Sequence, residues 1–294
     1  MVLRWIVVAL WMMLPLIAGP AFADALHDRG RLAQQIDSVG LWLVWVCTLV
    51  ALLVPSTVSL TLIRVVTPAA AAATAVAAAS GQLDAIDLAG LAGALAAAVL
   101  GLSSPVAHVF VNGSAYGDER RFLLRPPGAL LLGPIQAAWC ILVTAAVSGP
   151  VLLGERAWAL GAVATGIGWP VTFILTRAFH GLSRRWFVFV PAGVVVHDYS
   201  SLTESVMAQR RQIDRIAPAA PGTTPDGLLD LSGGAPGIAI DLWFNEHLPV
   251  SRRPPRRPGT GAVVESTSAA GVRITPALPG LLLDEARRRR LPTG

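Results

Sequence analysis

The sequence predicts an α-helical polytopic membrane domain followed by a small β domain that ends in a helix. Three observations carry this. First, 54% of the 294 residues are hydrophobic and only 14% are charged, where soluble domains carry roughly 25% charge; mean hydropathy is +0.60. Second, apolar runs long enough to cross the hydrocarbon core, which takes about 20 helical residues, recur between residues 38 and 177. Third, from Arg184 onward the chain turns polar, basic and rich in Pro and Gly, and its apolar residues fall into short β-branched and aromatic runs bounded by turn signals.

The first element, residues 1–23, is a signal peptide or a first span. "MVLRWIVVALWMMLPLIAGPAFADA" has one arginine, an apolar stretch and the A-x-A site Ala21-Phe22-Ala23. This layout favours cleavage after Ala23 over retention. Residues 24–37 then form a short extracytoplasmic segment. Residues 38–183 are the transmembrane domain, with five spans near 38–55, 60–80, 88–110, 128–149 and 157–177. The run from Leu41 to Ala79 is too long for one helix and turns at "PSTVS" (55–59), while "GQLDAID" (81–87) is a short acidic loop. Gly, Ala and Ser crowd "LAGLAGALAAAVLGLSS", as close helix packing in lipid requires.

Orientation follows from arginine placement in short loops. Arg4, Arg64, Arg120, Arg121, Arg125, Arg177, Arg184 and Arg185 fall on one side; Arg29, Arg31 and Arg156 fall on the other. The richer side is cytoplasmic, so the plasma-membrane protein is multi-pass with residues 184–294 inside. Arg64 lies a few residues into its span and snorkels to that face. Trp42, Trp45 and Trp158 are placed as an aromatic belt.

Between two spans lies "NGSAYGDERRF" (112–122), with paired carboxylates and paired arginines. It reads as a plain cytoplasmic loop whose arginines follow the positive-inside bias. The sharper alternative has Arg120, Arg121 and Arg125 holding lipid phosphates. Asp118 and Glu119 are adjacent and so point apart, which disfavours an acid/base pair.

Several chemistries are excluded outright. All 23 basic residues are arginine, so there is no lysine for a phosphate-binding loop, Schiff base or general base. Cys47 and Cys140 sit far apart in apolar runs, with neither zinc spacing nor redox pairing. No acid falls inside a predicted span, where proton or ion relays keep one, and His108 reads as structural. "GLSSPVAH" (101–108) resembles an intramembrane serine protease nucleophile. It lacks the glycine after the serine, and His108 shares its helix. Ser103 and Ser104 beside Pro105 fit better as donors to carbonyls freed by the proline. His197-Asp198 and Glu246-His247 read as surface turn residues, with no third ligand. No catalytic residue, metal or cofactor is assigned.

The C-terminal region begins with "WFVFVPAGVVVHD", a β-hairpin around Pro191-Ala192-Gly193. "SVMAQRRQIDRI" reads as a third strand, "LLDLSGGAPGIAIDLWF" as two strands around Gly233-Gly234, and "AGVRITP" as another. "PGLLLDEARRRRL" (279–291) is an amphipathic helix with Pro near its start and arginines in its last turn. The order of strands followed by one helix, directly after membrane spans, resembles bacterial pleckstrin-homology-like (PH-like) domains in membrane proteins of actinobacterial type. The resemblance covers roughly 184–291 and implies a PH-like fold. It supplies no catalytic residues.

Membrane lipids are the first expected partner. Arg184 and Arg185 fall at headgroup level, since the linker from the last span is under ten residues, and Arg252, Arg253, Arg256 and Arg257 form a second basic cluster. An unidentified protein partner is the alternative occupant, and nucleic acid is not expected without a binding motif. The leading expectation is a non-enzymatic accessory or scaffold. A transporter or channel for an uncharged or lipid-like substrate, and a membrane enzyme acting at 112–127, are the alternatives.

Overall fold

The computed structural model describes residues 2–81, 83–220, 224–253 and 265–294. The chain forms two compact units: Met1–Gly113 with Gln136–His180, and Ser114–Ile135 with Gly181–Gly294.

The first unit is helical: α1 (Val2–Ile17), α2 (Gly19–His27), α3 (Arg31–Leu53), α4 (Thr57–Ala79), α5 (Ala85–Leu102) and α6 (Ser104–Asn112). After α7 (Gly128–Leu131), which belongs to the other unit, it continues with α8 (Pro134–Gly154) and α9 (Trp158–Leu182). Six stretches among the described residues are long and apolar enough to cross a membrane, counting α1 and α2 as one. Their ends follow local chemistry. The expected turn before α4 is capped by Ser56, whose Oγ accepts from the Ser59 N–H. The acidic loop before α5 is a capping box between Asp84 and Asp87. The span expected over 88–110 breaks between α5 and α6, where Ser103 is extended and Pro105 enters the first turn of α6. Ser103 Oγ donates to the Leu100 carbonyl at 2.6 Å.

Glycines bring the helices together. A Cβ on Gly90 of α5 would lie 2.6 Å from the Ile17 carbonyl oxygen, and one on Gly93 would lie 2.7 Å from Ile17 Cδ1. The end of α1 is therefore seated on a glycine face of α5. Trp11 of α1 is buried, and its Nε1 donates to the Trp45 carbonyl while Trp45 Nε1 donates to the Trp11 carbonyl. Trp45 thus differs from its expected place in an aromatic belt. The helix begins at Arg31 rather than near 38, so Trp45 falls well inside it and reads against α1.

The second unit holds β1 (Arg120–Leu123), β2 (Trp186–Val190), β3 (Gly193–His197), β4 (Val206–Gln209), a 3-10 turn (Arg210–Gln212), β5 (Ile213–Pro218), β6 (Leu228–Asp230), β7 (Ile240–Arg252), β8 (Glu265–Ile274) and α10 (Pro279–Arg288). One sheet is an antiparallel meander in the order β1-β2-β3-β4. The other runs β5-β7-β8-β6, antiparallel except that β6 lies parallel to β8. The expected hairpin is β2–β3, with Val190 opposite Gly193. Gly193 is required there: its φ is +158°, and a Cβ would meet the Ala208 carbonyl oxygen of β4 at 2.1 Å.

Period-2 alternation builds the core. Phe187, Phe189, Val194 and Val196 point inward from the first sheet, meeting Ile240, Leu242, Val272 and Ile274 from the second. Leu282 and Ala286 of α10 join the same core. Leu281 of the same helix is 50% exposed.

One boundary differs from the expected 184. The segment expected to be a connecting loop supplies β1; Phe122 of that strand and Leu124 just after it are buried in this core. Arg120 pairs with Phe189 and Leu123 with Trp186. The hairpin of α8 and α9 is therefore inserted between the first two strands of one sheet.

Candidate functional site

The expected contact residues divide by what their strands do with them. Arg120 is exposed on β1. Arg121 is committed internally: its guanidinium bonds both Glu119 oxygens at 3.3 and 3.0 Å and lies 4.8 Å from the Trp186 ring. Partial burial works to raise the Glu119 carboxyl. The hydrogen bonds from Arg121 and the Tyr116 N–H outweigh it and hold the group below the ordinary carboxylate range. Glu119 is thus an ion-pair partner, and Asp118 contributes a carbonyl to Arg289. Arg125 is half-buried, with its N–H on the Thr275 carbonyl and its own carbonyl accepting from Arg185.

Arg185 departs from its expected place at headgroup level. It is 1% exposed. Its Nε and Nη2 form a two-pronged pair with Asp198 at 2.9 and 2.8 Å, and Nη1 and Nη2 also reach the Arg125 and Leu231 carbonyls. The cause is strand parity. Trp186 is opposite His197, so continuing the register sets Arg185 opposite Asp198 on the inward side. Asp198 is accordingly a buried ion-pair partner and not a surface turn residue. Burial pushes its carboxyl up, but the Arg185 guanidinium and the Ser200 donors hold it below the ordinary range. A second such pair, Arg273 to Asp241 at 2.7 and 2.9 Å, crosslinks β7 and β8.

The same register sets Arg184 opposite Tyr199, on the outward side. The Arg184 guanidinium lies 5.3 Å from the Tyr199 ring centre, and that of Arg253 lies 5.2 Å from the same ring. Arg252 is exposed at the end of β7; Arg256 and Arg257 lie outside the described residues. His197 stacks at a tilt between Trp186 and Tyr199, at 5.7 and 6.1 Å, and bonds Ser205. Its own partial burial first, then the Arg184 charge, lower its pKa below the ordinary histidine value, with Asp198 opposing.

The structure therefore gathers Arg184 and Arg253 around Tyr199, a residue that sequence reasoning passed over. The available signal was the antiparallel pairing of "SRRW" with "VHDYS", which sets Arg-Arg against Asp-Tyr. Among the described residues, no group of three or more His, Cys, Asp or Glu side chains is placed to hold a metal ion.

In the spans, several hydroxyls are spent on their own helices, while those of Thr48 and Thr172 are buried without a hydrogen-bond partner. Thr67 and Thr74 donate to the Ile63 and Ala70 carbonyls, and Thr61 to the Thr57 carbonyl, with His180 as a further partner.

These features define a chain of six membrane-length apolar helices joined to a β-rich region of two sheets and a short C-terminal helix. No protein-family model, curated protein or solved structure matches it.

Proposed function

We propose that the chain is a multi-pass plasma-membrane protein of actinobacterial type whose β domain is PH-like, lies in the cytoplasm and acts as a non-enzymatic docking platform. The observation that carries this reading is the insertion of α8 and α9 between β1 and β2. The path of the chain crosses between the two units three times, into the β unit at 113–114, back at 135–136 and into it again at 180–181. A β domain whose chain is interrupted by two membrane-length helices suits an accessory or scaffold.

The PH-like assignment is supported by the four-stranded meander, the second sheet sharing its core and the closing helix. The cytoplasmic side is supported by the arginine bias of the connecting segments. The occupant of the platform is the anionic membrane surface or a protein partner. The transporter reading finds less support, because the hydroxyls of Thr61, Thr67 and Thr74 are bonded to their own helix carbonyls.

Two labelling experiments test this. Cysteine placed at Tyr116, which is 90% exposed, is expected to resist an impermeant thiol reagent applied to intact cells; strong labelling would put the domain outside. A photo-cross-linker at exposed Met207 on β4 is expected to capture lipid or one discrete protein. A Met207 cross-linker that captures neither, across growth conditions, would leave the platform reading without an occupant.

A further inference from the structure

The geometry points to a phosphate-binding site formed by Arg184, Tyr199 and Arg253 on the β domain. This deepens the docking reading and rests on it only for the source of the ligand.

The argument begins with two neighbouring rungs of one hairpin. Arg184 and Arg185 face Asp198 and Tyr199 across the continued β2–β3 register. The inner rung, Arg185 with Asp198, is buried and neutralised. The outer rung, Arg184 with Tyr199, is not: Tyr199 is 49% exposed and carries no charge. Arg253, the residue that follows β7, converges on it from a segment distant in sequence. Two guanidinium groups thus lie within 5.3 Å of one ring centre. Neither has a carboxylate within ion-pair distance among the described residues. Other arginines of this unit are also without an ion pair, so what sets Arg184 and Arg253 apart is that both lie over one tyrosine ring.

Hydrogen bonds hold together the segments that bear the three residues. Asp198 accepts from the Ser200 N–H and hydroxyl, and the Leu202 N–H bonds the Asp198 carbonyl. That turn is stapled to the end of β7: the Thr203 N–H donates to the Ser251 carbonyl and the Arg253 N–H to the Ser201 carbonyl. The segments bearing Tyr199 and Arg253 are therefore tied together, and the buried Arg185–Asp198 pair ties the segment bearing Arg184 to both.

Two like charges that share one ring repel, and an anion bound by both relieves that repulsion. Planar guanidinium donors match the paired oxygens of a phosphate, and the tyrosine hydroxyl adds a donor. The ligand class is a phosphate group, either the phosphate of an anionic lipid headgroup or a free phosphate compound. The same field already acts on His197, next along the aromatic row.

The test uses the full-length protein. In neutral detergent, inorganic pyrophosphate at low salt is titrated while binding is read by calorimetry. In nanodiscs, the enrichment of phosphatidylglycerol over phosphatidylcholine around the protein is read by native mass spectrometry. The variants are Arg184→Gln with Arg253→Gln, against a control that removes equal charge from exposed positions, Arg211→Gln with Arg290→Gln. The site variant is expected to weaken pyrophosphate binding at least about tenfold, the scale of losing charged hydrogen bonds, and the control to change it less than about twofold. Absence of pyrophosphate binding by the unmodified protein, or equal losses in both variants, would overturn the site. Pyrophosphate binding without phosphatidylglycerol enrichment would support the site and overturn the membrane-surface reading. Enrichment that persists in the site variant would leave that reading standing and overturn the site.

Discussion

Replacing Phe122 by alanine tests whether the segment between two spans is part of the β domain. Phe122 is 3% exposed, sits opposite Phe187 across the β1–β2 ladder, and meets Phe189 edge-to-face at 5.7 Å. Truncating a buried phenylalanine costs about 3–5 kcal/mol, from lost transfer energy plus the cavity left behind. Domains are stable by only about 5–15 kcal/mol, so the loss is a large share of the total and lowers the melting temperature by roughly 10–20 °C. The assay compares two soluble fragments by circular dichroism and urea unfolding. One is residues 184–294 alone. The other joins 114–135 to 181–294 through a flexible Gly/Ser linker that replaces the membrane hairpin. The joined fragment is expected to unfold cooperatively, and the shorter one, lacking Phe122 and Leu124 and leaving the β2 edge unpaired, at markedly lower urea or not at all as a folded species. Phe122→Ala in the joined fragment should reproduce much of that loss. Equal midpoints for the two fragments, or a Phe122→Ala cost below about 1 kcal/mol, would refute the assignment of β1 to this domain.

Breaking the buried pair by Asp198→Asn is expected to cost about 3–5 kcal/mol, because it leaves the Arg185 charge unpaired, while Arg185→Met with Asp198→Leu recovers most of it; urea midpoints of the joined fragment decide this, and equal midpoints for single and double variants would refute it. The folded-state pKa of Asp198 lies below its unfolded value, so its contribution is present above the unfolded value of about 4 and is lost as pH falls through the folded one; the wild-type midpoint should drop faster with acid than that of Asp198→Asn. Arg184→Gln is expected to raise the His197 pKa, followed by NMR, because it removes a nearby positive charge; a fall would reverse the reasoning. Trp11→Ala is expected to lower the melting temperature of the detergent-solubilised full-length protein, since Trp11 is buried and bonded to the Trp45 carbonyl. Mass spectrometry that found Asp24 as the first residue of the mature protein would show α1 removed and refute that packing.

What the sequence by itself determined is what depends on neighbours along the chain. Span lengths come from uninterrupted apolar runs, because backbone in hydrocarbon must satisfy its own hydrogen bonds. The "PSTVS" and "GQLDAID" breaks read correctly because capping is a matter of three or four adjacent residues. The β2–β3 hairpin was legible because "PAG" separates two alternating runs. Arg184 and Arg253 were visible as basic residues but not as partners of Tyr199.

Only the tertiary structure decided which distant segments pair. "RRFL" is four residues with two charges, too short and too polar to declare itself a strand; it becomes one by lending its inward Phe122 to a core whose members, Leu124 apart, lie more than sixty residues on. Arg184 and Arg185 are chemically identical in the sequence. Strand parity sends one outward beside a tyrosine and the other inward onto Asp198. The same holds for α1: its composition suits a leader or a span alike, and the glycine face of α5 that receives it lies far along the chain. Pairing across such separations is set by which buried faces fit together, a property of the assembled fold that no local window of residues contains.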